Sequence, residues 1–565
     1  MENKVFRRAK IVATLGPSSS TPKQIEELAR AGMNVARLNM SHGTQKDHAK
    51  TIKNIRDVSG VVNRQIGILM DLQGPKIRVA KIEKNILLKD TATAYIGTRE
   101  NLSSAPIEEN EIKIPCGYTE LINDLHPGAR VLFDDGNLKA EALERVGDVY
   151  KIKIIQGGEL KPRKGINLPD CVVAADAFTQ EDRKNLMFGL KEGIDFVALS
   201  FISTAEDIKK VKILLHQLKM NVPIIAKIER PKAIENIDSI IEETDLIMIA
   251  RGDMGVELGN HLVPAVQKEI IKKCNTVGVP VITATQMLES MIESSTPTRA
   301  EASDVANAIW DGTDAVMLSG ETASGKFPIE AVKMMDSIIA EAEKTPKERP
   351  LLRNTDLSSV NASTMVAASL IAEKVNAVRI VSVTQSGNSC LKISRFRPVT
   401  RVLGVTNDIR TARKLTLYWG VKPWLITENS NVDGIEKIVI NNIKNSLDLN
   451  NGDKLVITRG DGRFFSQGQS NTVRVELIKD SPKVRGGSDT LCSANFPRGQ
   501  INLDTFSCAT CFNCVSTCPH GIWEQSKKMG AHVLINEDKT DNCTVDMECV
   551  NKCPTGAIEI IPKNE

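Results

Sequence analysis

The sequence lacks any apolar run that approaches the ~18 residues of a membrane span, and no signal-peptide apolar segment follows its basic N-terminus. It also lacks a strong charge of either sign, because 73 Lys and Arg residues against 70 Asp and Glu leave a net charge of +3. A membrane partner or a general attraction to nucleic acid is therefore not expected. A cytoplasmic enzyme is expected, and 565 residues predict three or four domains.

Cysteine is scarce through most of the chain and dense at its end. Of the 12 cysteines, the last eight fall between Cys492 and Cys553, and the others are scattered. Scattered cysteines are usually small buried hydrophobic residues. A dense cluster in a cytoplasmic protein more often binds metal than forms disulfides.

Apolar runs alternate with amphipathic helical patterns over most of the first 345 residues. The runs lack in-and-out alternation, as expected of parallel strands buried on both faces. The predicted strands are Lys10–Thr14, Asn34–Leu38, Gly67–Asp71, Phe196–Leu199, Ile224–Ile228, Leu246–Ala250, Val281–Ala284 and Ala315–Leu318. A capping-box pattern at Thr21 and Gln24 predicts a helix start. Eight strands with helices between them predict an α/β fold, a (β/α)8 TIM barrel, with an open doubly wound sheet as the alternative.

Residues 75–172 interrupt this pattern with short strand-like runs, Gly, Asp and Asn turns and no long helix. They predict an inserted small β-barrel domain, which would cover the C-terminal face of the barrel as a lid. The predicted domains are the barrel (1–74 and 173–345), the lid (75–172), an α/β regulatory domain (346–479), a polar linker (480–490) and a short terminal domain (491–565).

Polar residues at the ends of the predicted barrel strands should meet on one face of the barrel. These residues are Arg37, Asn39, Ser41, Asp71, Lys227, Glu229, Gly252, Asp253 and Thr285. The carboxylates of Glu229 and Asp253 suit Mg²⁺, a hard ion that takes oxygen ligands. Lys227 and Arg37 suit the charge of a transferring phosphoryl group or an enolate. Any one of these residues could form a strand-end salt bridge, but together they predict a site for phosphate chemistry.

Seven strings in the chain resemble the pyruvate kinase family, in the family's order and spacing. They are VARLNMSHG, DLQGPKIR, KGINLP, AKIERPKAIENID, ARGDMGVE, ITATQMLESMI and DAVMLSGETASGKFP. The resemblance covers about residues 4–478. It implies glycolytic phosphoryl transfer from phosphoenolpyruvate to ADP, giving pyruvate and ATP, with Mg²⁺ or Mn²⁺. It also implies a homotetramer.

The resemblance assigns roles within the pocket. The catalytic residues would be Lys227, which would stabilise the transferring phosphoryl group, with Arg37 and Thr285. The substrate would be bound by Arg37, Gly252, Asp253 and Thr285. The nucleotide would be bound by Asn39, His42, Arg78 and Lys164. Glu229 and Asp253 would hold Mg²⁺.

One string departs from the commonest family pattern at Lys76, where most members have Glu. Members with Glu there use a bound K⁺ near Asn39, Ser41 and Asp71. An ammonium at Lys76 can supply a fixed positive charge in its place. Neighbouring residues match the K⁺-independent subgroup, so the resemblance implies that K⁺ is not required. The alternative is a solvated Lys76 beside an intact K⁺ site.

A hydroxyl- and Gly-rich loop in the third domain is suited to a phosphate. Its residues are Thr384, Ser386, Gly387, Asn388 and Ser389. The corresponding family region binds sugar-phosphate effectors. An ordinary strand-to-helix turn favours the same residue types, so both interpretations stay open.

The terminal domain contains the bacterial ferredoxin run C-x2-C-x2-C-x3-C-P, for which a zinc ribbon is the alternative. Its cysteines are Cys508, Cys511, Cys514 and Cys518. A second run repeats the pattern as Cys543, Asp546, Cys549 and Cys553, with aspartate at its second position. The segment resembles a ferredoxin-like α+β domain with two clusters.

One [4Fe–4S] cluster would then be held by Cys508, Cys511, Cys514 and Cys553. A second, [4Fe–4S] or [3Fe–4S], would be held by Cys518, Cys543, Cys549 and Asp546, a weaker iron ligand than thiolate. Alternatively, a surface Asp546 leaves the second site empty. The domain could transfer electrons to a redox partner, sense oxidation or stabilise structure. A catalytically silent kinase-like scaffold that presents a ferredoxin module is the rival hypothesis for the whole chain.

Overall fold

The computed structural model describes residues 7–171, 173–345, 358–426, 440, 442–444, 449–450, 452–460, 470–478, 491–504, 513–525, 533–545, 547–553 and 558–562. They form two compact units. The first contains the described residues up to position 430 together with 456–475. The second contains the described residues of 431–455 and 476–565.

Eight parallel strands close into a barrel in the first unit, which confirms the predicted barrel and excludes the open sheet. The strands are Lys10–Thr14, Val35–Asn39, Gly67–Asp71, Phe196–Leu199, Ile224–Ile228, Leu246–Ala250, Val281–Ala284 and Ala315–Leu318. Only the second differs from its predicted bounds. It is displaced by one residue because Asn39 still pairs with Asp71 of the third strand.

Helices surround this barrel. The α-helices are Pro22–Ala31, Gln45–Val61, Gln180–Glu192, Ala205–Gln217, Pro231–Glu235, Ile237–Glu243, Arg251–Leu258, Val263–Val277, Arg299–Asp311, Gly320–Ala323 and Pro328–Ala342, with a 3₁₀ turn at Glu289–Ile292. The first begins at the predicted capping box, in which Thr21 and Gln24 bond each other's backbone N–H groups.

Alternate residues of each strand pack on opposite sides of the barrel wall. Val12, Leu69 and Ile225 belong to the apolar cluster inside the barrel. Ile11 and Ile68, their chain neighbours, belong to the cluster between strands and helices. Burial of such a side chain contributes roughly 1.5–3 kcal/mol. The two layers hold the strand ends, and the polar residues on them, in fixed positions.

A β-rich segment lies between the third and fourth barrel strands. Its six-stranded sheet runs in the order Ile166–Asn167, Arg130–Phe133, Leu138–Val146, Val149–Gln156, Thr93–Gly97 and Ile112–Pro115. The further elements are the paired strands Ile86–Leu88 and Gly158–Leu160 and the helices Arg99–Ser104 and Leu121–Asp124. Arg78 and Val79 bridge to Gly165 and Cys116 at the two edges of the sheet. The two edges of the sheet are therefore linked through Arg78 and Val79 by isolated β-bridges, and not by a continuous ladder of strand hydrogen bonds.

A five-stranded α/β sheet follows the barrel, as expected for a C-terminal α/β domain. Its strand order is Val421–Leu425, Val402–Thr406, Arg379–Val383, Lys454–Arg459 and Thr472–Leu477. Its helices are Val360–Lys374, Asn388–Arg395 and Ile409–Lys414, with a 3₁₀ turn at Leu415–Leu417. Arg397 joins it to the barrel, because its guanidinium lies 2.7 Å from Asp314 and 4.8 Å from the Trp419 ring centroid.

The terminal part of the second unit contains two small antiparallel sheets. Leu491–Phe496, Gly499–Asp504 and Ile558–Pro562 form one, and Trp523–Gln525 and Val533–Ile535 form the other. Two short helices, Asn513–Thr517 and Glu548–Lys552, and a 3₁₀ turn, Glu537–Asn542, complete it. None of the helices described in either unit combines the length and apolarity needed to cross a bilayer.

Candidate active site

A buried network of opposite charges lies at the C-terminal ends of the second, third and fifth barrel strands. The Arg37 guanidinium donates to Asp71 Oδ2 from Nε at 2.8 Å, with Nη2 at 2.7 Å from the same oxygen. The remaining Nη1 donates to Thr14 Oγ1 at 2.9 Å. Lys227 Nζ lies 3.4 Å from Asp71 Oδ1. One carboxylate thus holds two cations in place, as expected of a site that receives negative charge.

Lys227 is fixed from two further directions. Its Nζ donates to Ser200 Oγ at 2.6 Å and lies 2.8 Å from Glu229 Oε1. Ser200 Oγ in turn donates a hydrogen bond to the carbonyl of Leu72 at 2.7 Å. Such contacts restrict the rotamers of a long side chain, so its ammonium is pre-organised for a reacting group.

The charged groups of this network shift each other's ionisation. Burial alone would lower the pKa of Lys227, but the carboxylates of Asp71 and Glu229 outweigh burial and raise that pKa. Burial likewise opposes ionisation of Asp71, yet Lys227 and Arg37 hold the pKa of Asp71 below its ordinary value. The ammonium and the Asp71 carboxylate are therefore both charged at neutral pH.

Glu229 has the chemistry of a metal ligand. It is fully buried, and its Oε2 accepts a hydrogen bond of 2.7 Å from the Phe201 N–H. Within the described residues, its Oε1 accepts no well-aligned hydrogen bond, although Lys227 lies nearby. The charge of Asp253 acts on both Glu229 and Lys227, so the two carboxylates face one region. An oxygen with free lone pairs beside a second carboxylate fits Mg²⁺.

A strained turn positions Thr285 beside Gly252. Thr285 has φ 66°, which is uncommon for a β-branched residue. Its Oγ1 accepts a hydrogen bond from the Gly252 N–H at 2.7 Å. Arg251 donates to the carbonyls of Thr285 and Gln286 at 2.8 and 3.0 Å, and is itself paired with Asp304 at 2.7 Å. This buried arginine maintains a backbone conformation that would otherwise relax.

The predicted nucleotide residues lie outside the buried network. Lys164 pairs with Asp134 at 2.5 Å, and Arg78 donates to the carbonyl of Arg163 at 3.1 Å. Asn39 Oδ1 accepts the N–H of Ser41 at 3.1 Å. The exposed His42 offers its carbonyl to the His48 ring. His42 is exposed and the Lys164 side chain is 40% exposed, so both can be reached from solvent.

Lys76, the residue predicted to replace K⁺, is half-buried beside the inserted sheet. A Cβ added at Gly165 would lie 3.5 Å from Lys76 Cε, so the lysine stem runs alongside that strand end. Asp71, which is predicted to lie at the K⁺ position, is already paired with Arg37 and Lys227.

The predicted effector loop joins the strand Arg379–Val383 to the helix Asn388–Arg395. The Gly387 N–H donates to Thr384 Oγ1 at 2.9 Å, and Ser389 shares a hydrogen bond of 2.6 Å with Ser470. Two of the hydroxyls predicted to bind phosphate are therefore buried and bonded within the domain.

Three thiols predicted to hold the second cluster line one cleft in the second unit. We call this space the thiol cleft; its walls include Cys518, Cys543, Cys549 and Trp523. Cys518, Cys543 and Cys549 are free thiols. Within the described ranges, no three side chains of His, Cys, Asp or Glu are grouped so that they could hold a metal ion. Cys508, Cys511 and Asp546 lie outside the described residues.

Three residues of the barrel site were not predicted from the sequence. Ser200 and Thr14 contact Lys227 and Arg37, and Arg251 supports the Thr285 turn. Ser200 directly follows a predicted strand, so its position alone was a usable signal. Arg251 also directly follows a predicted strand and Thr14 ends one, so both carry the same positional signal, although strand hydroxyls and arginines in turns have many ordinary roles.

Comparisons with known proteins cover most of the chain. Residues 6–332 match the family model described as pyruvate kinase, barrel domain, and residues 362–476 match pyruvate kinase, alpha/beta domain. Pyruvate kinase 2 of Synechocystis sp. is 39% identical over 548 residues, which cover 94% of this chain and 91% of that protein. A pyruvate kinase of Staphylococcus epidermidis is 40% identical over 481 residues, covering 84% and 81%. A solved pyruvate kinase from Cryptosporidium parvum aligns with a TM-score of 0.76 at 34% identity, covering 84% of this chain and 97% of that one.

Proposed function

This chain belongs to the pyruvate kinase family of phosphotransferases, and we propose that the Lys227 network transfers a phosphoryl group from phosphoenolpyruvate to ADP. The observation that carries this proposal is the fixed pair of cations, Arg37 and Lys227, held by one buried carboxylate. Phosphoryl transfer depends mainly on alignment and on neutralising charge, which a pre-organised pair of cations supplies. The silent-scaffold hypothesis gains no support, because every catalytic residue expected in the barrel is present.

Each residue of the site has a task in this proposal. Arg37 binds the phosphate of phosphoenolpyruvate, and Lys227 stabilises the charge that develops as the phosphoryl group moves. The Gly252 and Thr285 turn orients the substrate carboxylate, with Thr285 near the carbon that gains a proton. Asn39, His42, Arg78 and Lys164 bind the nucleotide.

Glu229 and Asp253 would hold Mg²⁺ or Mn²⁺. The bound ion would neutralise charge on the substrate phosphate. Glu229 Oε1 is paired with Lys227 at 2.8 Å but accepts no well-aligned hydrogen bond from the described residues, so it keeps a lone pair for a metal ion, which supports this assignment.

The test is pyruvate formation measured by a coupled assay, with phosphoenolpyruvate, ADP or Mg²⁺ omitted in turn. Pyruvate should form only when all three are present. Glu229→Gln should raise the Mg²⁺ concentration for half-maximal rate by at least about tenfold, because a charged ligand is lost. A chain that forms no pyruvate under any of these conditions contradicts the proposed activity.

We further propose that Lys76 makes K⁺ unnecessary. Compensation of Asp71 by two fixed cations supports this, because little negative charge is left there for K⁺ to balance. The wild-type rate should therefore be nearly the same in K⁺-free tetramethylammonium buffer as in K⁺. Lys76→Glu should create a K⁺ requirement, whereas Lys81→Glu, at an exposed lysine nearby, should not. A wild-type rate that falls to a small fraction without K⁺ contradicts the proposal.

For the terminal domain we propose an iron–sulfur module of electron-transfer, sensing or structural role. Cysteine spacing and the three free thiols of the thiol cleft support it. Cys508, Cys511, Cys514 and Cys553 would hold a [4Fe–4S] cluster. Cys518, Cys543 and Cys549, with Asp546, would hold a second cluster, of [4Fe–4S] or [3Fe–4S] type. These ligands would supply mainly thiolate sulfur, which iron–sulfur clusters prefer.

Anaerobic purification of the full chain tests this module. Iron and sulfide should be present together, with a broad visible absorption and an electron paramagnetic resonance signal after reduction or oxidation. A colourless protein that contains zinc and no sulfide would overturn the assignment in favour of a zinc ribbon.

The remaining proposals concern assembly and regulation. A cytoplasmic homotetramer is proposed from family membership, and analytical ultracentrifugation of the full chain tests the oligomeric state. The loop of residues 384–389 is proposed to bind a sugar phosphate through its backbone N–H groups and Ser386, because Thr384 and Ser389 bond internally. A sugar phosphate that changes neither the rate nor the melting temperature contradicts the effector proposal.

A further inference from the structure

One wall of the thiol cleft carries a buried hydrogen-bond donor. Trp523 is only 2% exposed and begins the short strand Trp523–Gln525, whose pairing with Ile535 fixes its backbone. Across the part of the chain that the structure describes, its indole Nε1 makes no well-aligned hydrogen bond. A buried N–H left unsatisfied costs roughly 1–3 kcal/mol. Such a donor on the wall of a cleft lined by thiols points to a sulfur of the cleft as its acceptor.

Three thiols supply the sulfur atoms that can accept from this donor. Cys518, Cys543 and Cys549 share the cleft with Trp523. The indole N–H of Trp523 faces the sulfur of Cys549, and a hydrogen-bond donor there stabilises negative charge on that sulfur. The donor therefore acts on Cys549 more directly than on the other two thiols.

We propose that Trp523 is a positioning residue that donates its indole N–H to the sulfur of Cys549 when this sulfur ligates iron. This inference rests on the proposed cluster of the thiol cleft. On reduction, one electron passes from an external low-potential donor to the cluster, and no atom is transferred. A hydrogen bond to a ligating sulfur withdraws negative charge from the cluster, so it favours the reduced state and raises the reduction potential.

Trp523→Phe tests this in the anaerobically purified full chain, because phenylalanine keeps an aromatic ring and loses the N–H. A redox titration followed by electron paramagnetic resonance gives the potential of each cluster. The signal that disappears in Cys543→Ser is assigned to the thiol cleft. Trp310→Phe is the matched control, since Trp310 donates to the Ala342 carbonyl in the barrel.

We expect Trp523→Phe to shift the cleft signal to a more negative potential, with iron and sulfide per chain unchanged. Trp310→Phe should leave it where it is. An unshifted potential in Trp523→Phe overturns the role of Trp523 and leaves the cluster assignment standing. A wild-type chain with no signal that depends on Cys543 overturns both.

A measurement on the wild-type sequence covers the case in which Trp523→Phe does not assemble. Only one of the four tryptophans, Trp523, follows residue 490. Incorporation of ¹⁵N-indole tryptophan should therefore give a nitrogen hyperfine coupling to the cleft cluster. Absence of that coupling, with the cluster signal present, overturns the inference.

Discussion

Replacing Asp71 with asparagine tests whether this carboxylate has a role in catalysis beyond balancing buried positive charge. Asp71 is 1% exposed and lies 2.7 Å from Arg37 and 3.4 Å from Lys227. Asparagine keeps the shape but leaves two buried cations without this countercharge. Breaking one buried ion pair costs about 3–5 kcal/mol. Because both cations keep other partners, we expect the lower end of that range, about 3 kcal/mol.

The kcat of Asp71→Asn should fall by more than the loss of folding stability explains. Arg37 and Lys227 would lose the carboxylate that sets their separation, and a displacement of about 1 Å can cost roughly 100-fold in rate. We therefore expect kcat to fall about 100-fold in the coupled pyruvate assay, measured well below the melting temperature.

Asp195→Asn is the matched control. Asp195 is also buried, lies 2.8 Å from Arg56 and precedes the fourth strand, at the opposite end of the barrel. It should lose comparable stability and keep near wild-type kcat. A wild-type kcat in Asp71→Asn, or an equal loss of kcat in both variants, would refute the role given to Asp71.

Three further outcomes are expected. Burial lowers the pKa of Lys10 to about 7, so above that pH the unfolded chain binds a proton that the folded chain does not. The melting temperature should therefore rise from pH 7 to about pH 10. Lys10→Met should rise less over the same pH range. An identical pH dependence of the melting temperature in both proteins would argue against this account of Lys10. Lys164→Met should raise KM for ADP and leave KM for phosphoenolpyruvate unchanged. Its free energy of unfolding should change by less than about 1 kcal/mol, because the Lys164–Asp134 pair is partly exposed. Gly252→Ala should raise KM for phosphoenolpyruvate about tenfold, or about 1.4 kcal/mol. The new Cβ would contact Thr285 Oγ1 at 3.4 Å and would occupy space beside the turn that is proposed to orient the substrate. An unchanged KM would show that the site has room for the methyl group.

The barrel was predictable because its signals are local. Apolar runs of four or five residues, such as Gly67–Asp71, are buried both inside the barrel and against the helices. They can therefore be recognised in the sequence without knowing which strands they pair with. The charged residues after each strand were predictable for the same reason, since parallel strands deliver them to one face. Lys227 and Glu229 could be found in this way.

The partners of those residues depend on side-chain direction. Ser200 contacts Lys227 because two neighbouring strand ends place both side chains together, which the sequence does not specify. Trp523 was missed for a related reason. It lies in a segment without periodicity, and only the fold brings its indole N–H to a cleft lined by Cys518, Cys543 and Cys549.

The most direct test of the central claim compares two buried lysines of the same barrel. Lys227 is 8% exposed at the catalytic end, and Lys10 is 5% exposed at the opposite end, where it donates to the Val421 carbonyl. Phosphoenolpyruvate-dependent formation of ATP and pyruvate, in equal amounts, should be nearly abolished in Lys227→Met and retained in Lys10→Met. Equal rates in Lys227→Met and the wild type would contradict the assignment of phosphoryl transfer to this network.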